Sequence, residues 1–259
     1  MKVAILIPTY NEKENIGLLL DELLILTKKL TQYSFWIVVV DGNSPDGTGD
    51  IVRDYQKKSR KIVLLSGKKT GLGRDMVKGY RYILKNLGVD VVVTNEADFG
   101  FSFSHLPKML EKVENGCDVV VASRHVGIGH SRGWTLNRKL NHWVANTLLA
   151  RYLAGIREVY DKNGAFRAIR VKGVLEKINF VDFPTRGFSF FFYLIYKLSQ
   201  VTNKFCEIPV VFHFRTRGES KVSFNPKYLK TYVRDIWEYA CLAFQIRLER
   251  SKIILWLKS

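Results

Sequence analysis

In the first hundred positions, short runs of apolar and mostly β-branched residues recur at 3–7, 35–40, 62–65 and 89–94, and each breaks off into polar or turn-forming residues. Continuous apolar runs of this length mark strands covered on both faces. Between them lie stretches of helical period: Ile16, Leu19, Leu20, Leu23, Leu24 and Ile25 within residues 13–30, a second helix over 48–57, and a third opened by Gly71-Leu72-Gly73 and reaching residue 87. The alternation predicts an α/β fold, a mostly parallel doubly wound sheet with helices on both faces. In such sheets ligands lie just beyond the carboxyl ends of the strands. Here those ends are Pro8-Thr9-Tyr10-Asn11-Glu12, Asp41 with the turn-rich Gly42-Asn43-Ser44-Pro45-Asp46-Gly47-Thr48, and Asn95-Glu96-Ala97-Asp98.

The last of these carries the most chemistry. Glu96 and Asp98 stand one residue apart at a strand terminus, and hard carboxylate oxygens suit Mg²⁺ or Mn²⁺ holding a diphosphate. A solvated acidic loop is the alternative reading of the pair alone. Farther along, helices are predicted at 106–113, 136–153 and 188–200, and strands at 119–122 and 205–214. A glycine-bearing loop spans 127–133, and another loop runs through Asp161-Lys162-Asn163-Gly164. No repeat or low-complexity tract interrupts the chain, and Asn225-Pro226 marks the change of role, dividing a catalytic domain at 1–225 from a basic amphipathic helical tail at 226–259. In the tail Tyr228, Leu229, Tyr232, Val233, Ile236, Trp237, Ala240 and Phe244 recur at helical spacing beside Lys227, Lys230 and Arg234. That pattern fits a helix lying in the plane of an anionic membrane surface, or one packed on the catalytic domain.

Composition narrows the partners. The 259 residues carry a formal charge of +17, which implies nucleic acid, an anionic membrane surface or phosphorylated ligands, or else a lysine-rich solvated surface. No recognised nucleic-acid-binding motif accompanies the charge, so nucleic acid is the weakest of these. No run approaches the roughly 18 to 20 apolar residues of a membrane span, and the apolar start stops at Pro8 without a cleavage site, which predicts a cytoplasmic protein. Cys117, Cys206 and Cys241 are odd in number and far apart, and are expected as reduced, mostly buried thiols. The five histidines show no ligand spacing and are expected as surface or satisfied side chains.

Six ordered motifs sharpen the reading: IPTYNE at 7–12, DGNSPDGT at 41–48, GLG at 71–73, SR at 123–124, D-x-x-x-x-F-R at 161–167 and RGESK at 217–221. Together they resemble family 2 glycosyltransferases of the GT-A, Rossmann-like fold, and among these the dolichyl-phosphate mannose synthases. The resemblance implies an inverting transfer of mannose from GDP-mannose to a polyprenyl (dolichyl) phosphate at the cytosolic membrane face. It implies that Pro8, Tyr10, Glu12, Asp41 and Glu96 hold the nucleotide sugar and that Glu96 and Asp98 hold Mg²⁺ or Mn²⁺. Arg124, Arg132, Arg215 and Ser220 would meet the acceptor phosphate, with Asp98, Arg217 and Lys221 in catalytic roles. A transmembrane partner subunit belongs to the same expectation. The alternatives are a UDP-sugar donor, or a non-catalytic membrane-associated partner of an active synthase. Several positions depart from the family pattern: Gly42 for a second Asp, Glu96 for Asp, Gly100 for a side-chain metal ligand, Phe101 for His and Ala165 for Gly. A water is expected to fill the ligand place left by Gly100, and Gly100→Gln or Gly100→Ser to tighten metal binding.

Overall fold

The structure, a computed structural model, describes residues 1–215, 217 and 226–256. Strands β1 (Lys2–Thr9), β2 (Ser34–Asp41), β3 (Ile62–Ser66) and β4 (Val91–Thr94) alternate with helices α1 (Lys13–Lys29), α2 (Thr48–Lys58) and α3 (Leu72–Asn86), close to the sequence expectation. These four strands pair in parallel in the order β3-β2-β1-β4. Strand side chains alternate between faces, and both faces of β1 are dry. Val3, Ile5 and Ile7 meet Ile16, Leu19, Leu20 and Leu23 of α1, while Ala4 and Leu6 meet Met76, Tyr80 and Ile83 of α3. Each fully buried aliphatic side chain here contributes about 1.5–3 kcal/mol. Helix α3 comes especially close: a Cβ on Gly79 would lie 2.2 Å from a Leu6 methyl, so only glycine fits.

The second half is less regular. Helix α4 (Leu106–Glu114), β5 (Val119–Ser123), β6 (His130–Arg132), α5 (Leu136–Trp143), β7 (Arg167–Arg170), α6 (Ser189–Ser199), β8 (Phe205–Pro209), β9 (Val211–His213) and α7 (Pro226–Trp256) follow. The helix expected over 136–153 is α5 continued by a π-helical stretch, Val144–Leu153. The strand expected over 205–214 is two: β8 extends the main sheet beside β5 and ends at Pro209, and β9 pairs with β6 in a separate ribbon.

Between β4 and β5 lies β7, antiparallel to both, completing the order β3-β2-β1-β4-β7-β5-β8. From sequence this segment reads as a loop through Asp161-Lys162-Asn163-Gly164, and the strand that follows it starts on Arg167. The guanidinium is nevertheless fully buried, donating to the carbonyls of Phe191 (2.6 Å) and Lys162 (2.7 Å). Buried carbonyls thus accept the charge that would otherwise exclude arginine from a central strand.

One expectation is overturned. Cys117 and Cys206 are not reduced thiols but form a disulfide, with Cα atoms 6.0 Å apart across 89 residues of sequence. Cys117 precedes β5 and Cys206 lies opposite Val120 in the β5–β8 register, so the sheet pairing brings them together. Cys241 is free, and exposed rather than buried. On α7, Tyr239, Leu242, Ala243 and Ile246 are buried against α6 and the π-helical stretch, whereas Val233, Ile236, Trp237, Phe244 and Leu248 face outward. Among the described residues, no helix is long and apolar enough to cross a membrane.

Candidate active site

The carboxyl ends of β1, β2 and β4 meet where the strand order turns from β1 to β4, the place an open α/β sheet presents to a ligand. At the end of β2, Asp41 is buried, and its carboxylate accepts from Thr9 Oγ1 (3.0 Å), Ser44 Oγ (2.6 Å) and Ser44 N–H (2.9 Å). The following turn is pinned by Asp46, which accepts from Thr48 N–H (3.0 Å) and Thr48 Oγ1 (2.6 Å) at the start of α2 and from Lys13 N–H (3.0 Å) at the start of α1. Burial alone would raise the Asp46 pKa, but these hydrogen bonds outweigh it and hold the carboxyl below its usual range. The turn therefore locks the amino ends of two helices beside the carboxyl edge of the sheet.

Pro8 lies in β1 opposite Val40, and Tyr10 projects just beyond the strand. Lys69 Nζ stands 3.5 Å from the Tyr10 ring centroid. A Cβ on Gly42 would come within 3.2 Å of that ring, so the missing second aspartate leaves room for the Tyr10 and Lys69 pair. Gly71, at φ +110°, opens α3 so close to the Arg186 carbonyl that a Cβ would lie 2.5 Å from its oxygen. One turn later Asp75, buried beside Thr70 Oγ1 (3.1 Å), has its pKa pushed up to about 6 by desolvation.

The acid pair follows β4. Asn95 shapes its loop, donating to the Phe101 carbonyl (3.0 Å) and accepting from Glu96 N–H (2.9 Å). Asp98 accepts from Gly100 N–H (3.0 Å) and from the Arg215 guanidinium (2.9 Å), which also reaches Glu12 at 3.5 Å. Burial, reinforced by the neighbouring Asp98 charge, pushes the Glu96 pKa up to about 7. Arg138, packed between Trp134 and Phe214, adds positive potential to both acids. Two carboxylates crowded at one strand end, one of them bonded to a guanidinium, form a donor set of hard oxygens that fits a divalent cation. Gly100 does not leave space for a larger side chain: a Cβ there would lie 2.4 Å from the Phe212 ring, so restoring a side-chain ligand, as expected from sequence, meets buried aromatic packing.

Arg124, expected to face an anion, is buried and bidentate on Asp161, with Nε at 2.7 Å from Oδ2 and Nη2 at 2.8 Å from Oδ1. The rings of Phe101, Trp134 and Phe212 surround its guanidinium. Burial disfavours the Asp161 charge, yet Arg124 more than reverses this and holds the carboxyl far below its usual range. Beside this pair His125 and His142 stack, with Nε2 atoms 2.8 Å apart. Burial, then the Arg124 charge, pushes His142 down to about 3. His125, His142 and Asp161 place potential ligand atoms within 4.8 Å of one another, but both Asp161 oxygens already serve Arg124, so the cluster reads as satisfied histidines beside an ion pair.

Arg132 is exposed on β6, donating to His130 (3.2 Å), and Arg217 is exposed. Ser220 and Lys221 lie outside the described residues. The structure thus brings Glu12, Glu96, Asp98 and Arg215 into one cluster. Sequence reasoning missed Asp75, Lys69, Arg138 and the two stacked histidines as neighbours of the site. For Lys69 and the histidines spacing carries no signal because their partners are remote in sequence, and for Asp75 and Arg138 it does not report burial.

Residues 4–176 match the family described as Glycosyl transferase family 2. The chain belongs to that family. It is 32% identical over 237 residues to a dolichol-phosphate mannosyltransferase from Pyrococcus furiosus, covering 92% of this chain and 63% of that protein's length. An undecaprenyl-phosphate mannosyltransferase from Micrococcus luteus is 33% identical over 224 residues, covering 86% of this chain and 88% of the relative. Among solved structures, a mannosyltransferase from Pyrobaculum calidifontis in complex with GDP-Man and Mn²⁺ shares the fold at 15% identity, with a TM-score of 0.54, 95% of this chain covered and 73% of the other. This family 2 chain therefore carries, at the switch point of its sheet, the acid pair that the sequence motifs singled out.

Proposed function

We propose that this family 2 chain transfers mannose from GDP-mannose to a polyprenyl phosphate, with inversion, at the cytosolic face of a membrane. The observation that carries the reading is the Glu96 and Asp98 pair at the end of β4, crowded with cations and facing the self-braced donor edge of Asp41 and Glu12. Glu96 and Asp98 would hold Mg²⁺ or Mn²⁺, which when bound neutralises the charge of the departing diphosphate. The activities for which the Pyrococcus and Micrococcus relatives are named support the acceptor class, and the ligands of the Pyrobaculum structure support the donor and metal.

The residues divide the work. Tyr10 offers a ring face for the base, and the end of β1 and β2 fixes the nucleoside through Pro8, Glu12 and Asp41. A phosphate monoester has a second pKa near 6, so the acceptor oxygen is a nucleophile at pH 7 without a protein base. Its oxygen forms a bond to the sugar C1 as the bond from C1 to the diphosphate oxygen breaks, and the nucleoside diphosphate leaves with the electron pair. In-line attack inverts C1. Alignment and positive potential from Arg215, Arg217 and Lys221 are what the chain must supply. The outward faces of α5 and α7, with Leu136, Leu140, Trp143, Ile236, Trp237 and Phe244, give an apolar surface for lipid beside a strongly basic chain.

The test is thermal unfolding with GDP-mannose, UDP-glucose and the free nucleotides, with and without Mn²⁺, followed by transfer of labelled sugar to polyprenyl phosphate. A ligand at a hundred times its Kd adds about 2.7 kcal/mol of apparent stability. Stabilisation by GDP-mannose with Mn²⁺, together with lipid-linked product, is the expected result. A folded protein unmoved by any nucleotide sugar would refute the reading, and preference for UDP-glucose would replace the donor.

A further inference from the structure

Arg215 sits on Asp98, one of the two carboxylates proposed to hold a metal. It follows β9 and Phe214 and returns across the carboxyl edge of the sheet, where it joins Asp98 at the end of β4 to Glu12 at the end of β1. Its side chain is 15% exposed, against 9% for Asp98 and 7% for Glu12, so the contact is largely withdrawn from water. The other Asp98 oxygen already accepts from Gly100 N–H. A guanidinium binds carboxylate oxygen at about 2.7–2.9 Å and Mg²⁺ binds it at about 2.0–2.1 Å, so the two cations compete for the same lone pairs and repel one another.

We infer that Arg215 is a resident counter-ion of the metal-binding carboxylates, displaced when a divalent cation arrives with a nucleoside diphosphate. The inference rests on the proposed metal role of Glu96 and Asp98 and adds its regulation. Without nucleotide, a metal must expel a guanidinium held by two carboxylates, and binding is weak. A diphosphate brings the negative charge that draws Arg215 off Asp98, so metal and nucleotide each strengthen the other's binding. The displaced guanidinium then neutralises phosphate oxygens, to which its fork geometry is suited. One side chain thus keeps the acid pair neutralised in the empty enzyme and becomes an anion ligand in the loaded one.

Calorimetric titration of Mn²⁺ into full-length protein, with and without GDP, tests this in wild type, Arg215→Gln and Arg215→Lys, each first shown to unfold cooperatively. Removing a unit charge beside the site should tighten nucleotide-free Mn²⁺ binding by about tenfold or more in Arg215→Gln, and should shrink the GDP-dependent gain by a similar factor. Arg215→Lys keeps the charge and should stay near wild type. Nucleotide-free affinity that is unchanged or weaker in folded Arg215→Gln overturns the inference, as does a lysine variant that behaves like glutamine. Should Arg215→Gln fail to fold, wild type alone decides: Mn²⁺ affinity that does not rise with GDP overturns it. Failure of the underlying reading looks different, because wild type would then bind no Mn²⁺ even with GDP, and Asp98→Asn would change nothing.

Discussion

Asp75 and Asp161 are both buried aspartates, one on the helix that follows β3 and one on the loop before β7, and their carboxyl groups are pushed in opposite directions. Asp75, in the first turn of α3, has Thr70 Oγ1 as a hydrogen-bond partner and two lysines acting at longer range, and desolvation wins. Asp161, on the loop before β7, accepts two guanidinium bonds from Arg124 and the N–H groups of Arg124 and Gly164, and the ion pair wins. The difference extends to the halves around them. The half built on β1 to β3 braces its carboxylates with neutral hydroxyls and backbone N–H groups, as at Asp41 and Asp46. The second half buries whole charges, Arg124, Asp161, Lys162 and Arg167, and satisfies them with an opposite charge or with backbone carbonyls. Depth of burial alone therefore does not set a carboxylate's pKa; the partner supplied with it does.

The largest expected effect breaks that comparison at Asp161. Asp161→Ala leaves the Arg124 guanidinium buried without its counter-charge, which costs about 3–5 kcal/mol. Urea unfolding at pH 7 should show it as a lowered midpoint. Replacing both residues together, as Arg124→Met with Asp161→Ala, should cost less than the sum of the single changes, because no orphan charge remains. A loss under about 1 kcal/mol in the single variant would mean that water already reaches the pair.

Next in size is Gly100→Ser, which a sequence argument favours as a repaired metal ligand. The new Cβ would meet the Phe212 ring, and overpacking of this kind costs about 1–3 kcal/mol. Phe212→Leu in the same chain should recover part of that stability, a coupling that thermal melts of the four proteins would expose. A stable Gly100→Ser protein with tightened Mn²⁺ binding would restore the expectation drawn from sequence.

These two sites show what could be read in the chain beforehand. Strands β1 to β4 announced themselves through continuous apolar runs, and the residues at their carboxyl ends followed from topology. That is why Glu12, Asp41, Glu96 and Asp98 were singled out and are found on one edge. Strand β7 gave no such signal, since its burial depends on Arg167 reaching carbonyls of Lys162 and Phe191. The Arg215 contact with Asp98 spans 117 residues, and the Cys117 to Cys206 bond depends on the β5 and β8 register. Periodicity reports which face a residue takes. It does not report which distant partner will satisfy it.

In the first half, Asp41→Ala tests whether bracing by hydroxyls and N–H groups also serves a ligand. If the carboxylate receives a bond from base or ribose in addition to Thr9 and Ser44, GDP affinity should fall by about 1–3 kcal/mol. Calorimetry on the folded variant measures it. Ser44→Ala separates the two contributions, for it loosens the turn while leaving the carboxylate in place. Equal GDP affinity in Asp41→Ala and wild type would confine Asp41 to holding its own loop.

The smallest effect sharpens the contrast with which the two aspartates began. Asp75 has a folded pKa near 6, above the roughly 3.9 of an unfolded aspartate. Between those values the folded state binds more protons than the unfolded state, so the Asp75 contribution to stability falls as pH rises from about 4 to about 6, and the full cost of the buried charge is present above that window. Asp75→Asn removes the charge and keeps an acceptor for Thr70. At pH 7.5 the variant should be more stable than wild type by about 1 kcal/mol, after allowance for screening by nearby lysines, and the advantage should shrink to nothing by about pH 4. Chemical denaturation of both proteins across pH 4 to 8 isolates this group, because every other titrating residue is common to the pair. Asp161 predicts the opposite slope, since a carboxyl held low stabilises the fold above its unfolded pKa and loses that contribution as pH falls. A flat difference between wild type and Asp75→Asn would show that Thr70, Lys78 and Lys69 offset the desolvation of Asp75 in full, leaving its folded pKa at the unfolded value.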